Sequence, residues 1–323
     1  MNQVRTRWLA LSFLTVPLLA AGCTDLQYFI PAVNCTAPPL PEVVVVEEHG
    51  RAARGTLAGV DDAQWLQVAR QSRPGVIGGY LSPEPGTRGS LVLLLSGAST
   101  SYADARVAAV LSFFRGYGDE FRRAGFRLWA PVLSEVGPYA TDEVDDVVEV
   151  LEWLDSGGLE LLSVDRVFVV GYSTGATTAN FVNLRAKATA VVSLAGLTEP
   201  EQLQRNAVLY RRVTDLFPCT TGMLQFRRTL DHYDAVGWDE FNVVARVAEM
   251  RNPALFMTAA DDIIYEPANV RNLQAAYEQA LAAGAMLPEL TFEYVPSGGH
   301  FAYVQAPELF DVVVRYLEQF EVP

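Results

Sequence analysis

Downstream of residue 42 the chain alternates short apolar runs with longer stretches in which apolar positions recur every three or four residues. Ser90–Leu95 reads Ser-Leu-Val-Leu-Leu-Leu, the unbroken apolar run of a strand buried on both faces. Residues 127–132, 167–170, 190–194, 255–258 and 290–295 read as further strands, and residues 43–46, 65–70 and 76–81 as earlier antiparallel ones. Between them lie helical patterns: one running through Phe121 to a Gly125 stop, then 174–186, 270–281 and 307–320. Residues 141–155 set Val144, Val147, Val148, Leu151 and Leu154 on one helical face, and Asp142, Glu143, Asp145, Asp146 and Glu149 on the other. Those acids keep helical period and lack the glycine of a calcium loop, so they predict a solvated helix face. Strands alternating with helices predict an α/β fold, a mostly parallel sheet with helices on both faces, spanning residues 42–320.

One segment breaks the rhythm. Residues 197–251 hold no strand pattern, and a segment that long inside a compact fold is usually functional. It predicts a helical cap inserted into the α/β domain.

The N-terminus is of another kind. Arg5 and Arg7 precede a charge-free stretch over residues 8–22, interrupted by Pro17 and ending Ala20-Ala21-Gly22-Cys23. This is short for a bilayer span and fits a signal peptide over residues 1–22. Its end resembles a bacterial lipoprotein cleavage site, which implies acylation at Cys23 and an exported protein anchored in the cell envelope. Residues 23–41 contain Pro31, Pro38, Pro39 and Pro41 and read as a tether. With Cys23 acylated, Cys35 and Cys219 are left, either bridged or as two thiols.

Composition narrows the function. The 323 residues carry 24 Lys+Arg against 38 Asp+Glu, a formal charge of −14, which disfavours nucleic acid as a partner. Three histidines and three cysteines share no metal-ligand spacing, so neither metal nor other cofactor is expected.

The sharpest local feature is Gly171-Tyr172-Ser173-Thr174-Gly175, where the strand 167–170 meets the helix 174–186. A strand turning straight into a helix exposes Ser173 above the sheet edge, with glycines giving room for the turn. A serine hydroxyl needs a base, and the base needs an acid to hold it. Asp261 and Asp262 follow the strand 255–258, and His300 follows the strand 290–295, all at carboxyl ends of strands, where ligands gather in open α/β sheets. His49 reads as a surface residue and His232, in the presumed cap, as a distant second base.

With these residues the chain resembles a serine hydrolase of the α/β-hydrolase superfamily, similar to dienelactone-hydrolase, prolyl-oligopeptidase-like and esterase domains. The chain order Ser173, Asp261, His300 matches that family's triad. Its Gly-x-x-Asp-x-x-Val segment corresponds to residues 258–264, with Thr258 in place of glycine, and selects Asp261 over Asp262. The resemblance further implies an oxyanion hole from the amides of Thr174 and Ala98, the latter in a loop that reads Ser96-Gly97 where relatives have His-Gly. It implies a carboxylic ester as small-molecule substrate. The same triad would serve a peptidase, amidase or acyltransferase, and a non-catalytic lipid-anchored binding protein is the alternative of another class.

Overall fold

The computed structural model describes residues 43–57, 59–84, 86–97, 103–133, 141–216 and 221–321. Among the described residues ten strands form one sheet: β1 (Val43–His49), β2 (Ala52–Leu57), β3 (Val60–Ala69), β4 (Val76–Leu81), β5 (Ser90–Leu95), β6 (Arg127–Pro131), β7 (Arg166–Tyr172), β8 (Ala190–Leu194), β9 (Ala254–Ala259) and β10 (Leu290–Val295). Their order across the sheet is β1-β2-β3-β4-β6-β5-β7-β8-β9-β10. The first four make an antiparallel meander joined to β6 through β4, and the run from β6 to β10 is parallel.

The longer helices among the described residues are α1 (Ala103–Arg123), α2 (Asp142–Trp153), α3 (Thr174–Arg185), α4 (Glu201–Leu216), α5 (Thr221–Val236), α6 (Ala268–Ala282) and α7 (Pro307–Glu318). They cover both faces, because alternate side chains of each strand point to opposite sides. Leu91, Leu93 and Leu95 pack in one core with Val144 and Val147 of α2, Val182 of α3 and Leu273 of α6. Val92 and Leu94 pack in the other with Phe114 and Phe121 of α1 and Phe310 and Leu317 of α7. Every residue from Leu91 to Leu95 is 0% exposed, as its unbroken apolar run predicts.

Two expectations need correction. The strand β2, Ala-Ala-Arg-Gly-Thr-Leu, is missing from the sequence reading, and β3 begins at Val60 rather than 65. Arg54 and Gly55 obscure the first, and the adjacent Asp61 and Asp62 hide the start of the second. Consequently β1 pairs with β2, and β3 lies between β2 and β4.

The acidic face of α2 is the second correction. Glu143, Asp146 and Glu149 are 2%, 1% and 7% exposed, not solvated. The turn between β3 and β4 folds over this helix and supplies partners for Asp146 and Glu149. Arg70 Nε and Nη2 donate to the two oxygens of Asp146 at 2.7 and 2.9 Å, and Arg73 Nη2 adds a third bond at 2.7 Å. Glu149 accepts from the amides of Gln71 and Ser72 and from the Ser72 hydroxyl. Glu143 accepts from Thr178 Oγ1 on α3 at 3.1 Å. Asp142 and Asp145 do face outward and pair with Arg73 and Arg185.

Between β8 and β9 stand α4 and α5, followed by short 3-10 turns at Trp238–Phe241 and Val247–Glu249. Arg211 of α4 bonds Asp231 and Asp234 of α5 at 3.4 and 2.5 Å. At the base of α5, Tyr233 stacks on Phe241 with ring centroids 3.7 Å apart, and Phe241 meets Phe181 of α3.

Candidate active site

Parallel strands share a direction, so the segments leaving β5, β7, β8, β9 and β10 all emerge at one edge of the sheet. Ser173 sits at the turn from β7 into α3 with φ 56° and ψ −118°, a left-handed backbone that a non-glycine residue rarely adopts. The strain is held by packing from both sides. A Cβ on Gly171 would lie 2.3 Å from the carbonyl oxygen of Gly175, and one on Gly175 would lie 2.3 Å from that of Leu95. Only glycine permits helix, turn and strand to approach that closely. The Ser173 amide also donates to Leu194 O at 2.9 Å, pinning the turn to β8.

His300 Nε2 lies 2.8 Å from Ser173 Oγ, and His300 Nδ1 lies 2.8 Å from Asp262 Oδ2. With a carboxylate oxygen as acceptor, Nδ1 is the ring nitrogen that donates, to Asp262, leaving Nε2 to accept from the serine hydroxyl. The imidazole is 3% and the carboxylate 0% exposed, whereas Ser173 is half-buried, so the chain of hydrogen bonds runs from the interior to an accessible hydroxyl. Three rings enclose the imidazole: Tyr172, Tyr265 and Phe301, at centroid distances of 5.6, 5.3 and 5.6 Å. Beneath them Tyr303 is buried, and burial together with the charge of Asp262 holds its hydroxyl well above the ordinary tyrosine range, so it stays neutral.

The expected acid is Asp261; the residue that meets His300 is its neighbour. Strand β9 continues through Ala259, which pairs with Val295, and Ala260 N still donates to Val295 O at 2.8 Å. The turn therefore starts later than the count from Thr258 implies, and it presents Asp262 inward. Asp262 Oδ1 also accepts from the amides of Ile264 and Tyr265 at 2.8 and 3.0 Å, so one carboxylate both stabilises the turn and orients the imidazole. Asp261 instead accepts from the amides of Gly298 and Gly299.

Thr174 opens α3, and the first N–H groups of a helix have no acceptor within it, so its amide is available beside Ser173. The loop after β5 does pass against the serine: a Cβ on Gly97 would lie 3.1 Å from Ser173 Cβ. Ala98, the other expected oxyanion donor, lies outside the described residues, as do Cys23, Cys35 and Cys219. His49 is exposed and His232 packs against Phe241, remote in contacts from Ser173. Sequence reasoning missed Tyr172 and Tyr265 as neighbours of the imidazole. Tyr172 had a signal in its place inside the Gly-x-Ser-x-Gly motif, and Tyr265 had none. Gln202 was missed too. It is 2% exposed and ties α4 to the acid-bearing segment, donating to Ile264 O at 2.9 Å and accepting from Glu266 N at 2.8 Å.

A model of the alpha/beta hydrolase family matches residues 92–312. The chain belongs to that family. The match runs from within β5 to within α7 and includes Ser173, Asp262 and His300. Solved structures share the fold of this hydrolase at low identity. An esterase of Pyrococcus furiosus is 13% identical with a TM-score of 0.61, over 88% of this chain and 98% of that one. A truncated carbohydrate esterase from gut microbiota is 14% identical with a TM-score of 0.57, over 76% and 90%. Porphyromonas gingivalis dipeptidyl peptidase 4 is 11% identical with a TM-score of 0.57, over 80% of this chain and only 35% of the peptidase. No curated protein sequence matches.

Proposed function

We propose that the protein is a serine hydrolase that cleaves carboxylic esters, with Ser173 as nucleophile, His300 as general base and acid, and Asp262 as the residue that orients it. The observation that carries this reading is the unbroken hydrogen-bond chain from Ser173 Oγ through both ring nitrogens to a fully buried carboxylate. Ser173 Oγ attacks the ester carbonyl as its proton passes to His300 Nε2, and Asp262 stabilises the imidazolium that results. The amide of Thr174, with that of Ala98, takes up the charge on the carbonyl oxygen. Collapse of the tetrahedral species expels the alcohol, which takes the proton from His300. Water then attacks the acyl-enzyme with His300 again as base, releasing the acid and restoring Ser173.

The likeness to esterases over 90% and 98% of their lengths supports the ester reading. The likeness to dipeptidyl peptidase 4 favours a peptidase as the second reading. That second reading needs an anchor for a peptide amine, for which Glu199 and Glu201 are the candidates; Glu199 is 8% exposed and bonded by Asn272 Nδ2 at 2.6 Å, which weakens it, and Glu201 is exposed. We read α4 and α5 as the cap that shapes the acyl pocket, latched to the Asp262 segment by Gln202. Cys23 is the proposed lipid attachment site; the mass of the mature N-terminal peptide and its change in Cys23→Ala test it.

A series of p-nitrophenyl esters from acetyl to palmitoyl tests the activity. The expected result is a burst of p-nitrophenol equal to the enzyme added, followed by slower turnover. Cleavage of dipeptide anilides without ester turnover would move the assignment to the peptidase reading.

A further inference from the structure

The second carboxylate of the Asp261-Asp262 pair has its own place in the site. β10 stands three strands from β7, and at an interstrand spacing of about 4.8 Å its following segment must reach roughly 14 Å back across the sheet edge to bring His300 to Ser173. That segment turns on Gly298 and Gly299, with φ of 121° and 61°. Two flexible glycines immediately before a base that must meet two partners at 2.8 Å would leave its backbone loosely defined. Asp261 removes that freedom. Its Oδ2 accepts from Gly298 N at 3.2 Å and its Oδ1 from Gly299 N at 2.8 Å, so successive amides of the turn form a nest around one anion. On the other side, Tyr172 Oη donates to the backbone carbonyl of His300 at 3.2 Å, directly from the residue preceding the nucleophile. The backbone around His300 is thus gripped from both directions.

We propose that Asp261 and Tyr172 are positioning residues for the reaction: together they fix the His300 main chain, so that the imidazole bridges Ser173 and Asp262 before substrate arrives. This rests on the serine-hydrolase reading. The adjacent aspartates divide the work, Asp262 aligning the ring and Asp261 the backbone that carries it.

The test compares Asp261→Ala, Asp261→Asn and Tyr172→Phe in the purified full chain, reading kcat and KM on p-nitrophenyl acetate, melting temperature, and the far-downfield proton NMR signal of His300 Nδ1–H. Removing an orienting partner outside the reacting atoms lowers activity by about 10- to 100-fold, which is the kcat loss expected for Asp261→Ala with KM within about twofold. Asp261→Asn, which retains one acceptor oxygen, should recover part of that loss. The Nδ1 proton signal should broaden or shift in Asp261→Ala. A merely structural role would lower the melting temperature and leave kcat per folded molecule and the proton signal unchanged; that result overturns the proposal. Fluorophosphonate labelling of the wild type separates the two claims. If Ser173 takes no label the hydrolase reading fails, and the Nδ1 signal then decides the clamp by itself, an unchanged signal in a folded Asp261→Ala overturning it.

Discussion

On α2, Glu143 and Asp146 are as deeply buried as Asp262 beside His300, yet the company they keep is different. Asp146 meets two guanidinium groups, which stay charged at any pH the protein meets, and Glu149 meets backbone amides and a hydroxyl. That cluster fastens the β3–β4 turn to the helix. Asp262 meets an imidazole, the side chain whose charge changes most easily near neutrality, and that imidazole touches a hydroxyl held in a strained turn. A buried carboxylate is therefore no mark of chemistry by itself; the proposed reaction calls for one bonded to an imidazole that reaches a serine hydroxyl.

The comparison breaks most visibly at Ser173 and Asp262. Ser173→Ala should abolish turnover, a loss on the order of 10⁶ in kcat, and Asp262→Asn should cost on the order of 10⁴ by favouring the wrong imidazole tautomer, both read by ester hydrolysis. Denaturation curves of the two variants should lie near that of the wild type. Asp146→Ala should do the reverse. It leaves Arg70 without its buried counter-charge and Arg73 with Asp142 alone, and should cost about 3–5 kcal/mol of stability, measured by urea unfolding, while folded protein keeps its turnover.

Smaller effects sharpen the contrast through pH. Burial by itself would raise the Glu149 carboxyl, but the Ser72 hydroxyl, the amides of Gln71 and Ser72, and Arg51 outweigh it and hold the group below its ordinary value of 4.5. As pH falls through that value the unfolded chain takes up its proton first, so the contribution of Glu149 is full above 4.5 and lost below. Glu199 is the opposite case: burial raises its carboxyl despite the hydrogen bond from Asn272. Above 4.5 the unfolded chain releases the proton before the folded one, so Glu199 costs stability as pH rises through its raised value. Urea unfolding between pH 3.5 and 7 (from roughly one unit below to two to three units above the ordinary glutamate value) should show Glu149→Gln losing stability at pH 7 and Glu199→Gln gaining it.

The parallel half of the sheet was legible because its strands are buried on both faces and read as apolar runs; β5, β8 and β10 have the bounds their sequence implies. The antiparallel half was harder. β2 carries Arg54 and Gly55, and its polar positions are explained by neighbours that only the fold supplies. Ser173 and His300 were legible from local pattern at strand ends. The choice between Asp261 and Asp262 was not, because it depends on β9 running one residue past Thr258, a matter of pairing with β10. The burial of the α2 acids was hidden for a related reason: the partners of Asp146 and Glu149 lie more than seventy residues upstream in sequence, for instance Arg70, 76 residues before Asp146.

The most direct test of the central claim is covalent labelling of the full chain with a fluorophosphonate, followed by mass spectrometry to locate the adduct. The account predicts one adduct on Ser173, lost in Ser173→Ala, slowed by orders of magnitude in Asp262→Asn and slowed far less in Asp261→Asn. A folded wild-type protein that takes no label, or labels equally in Asp262→Asn, would contradict it.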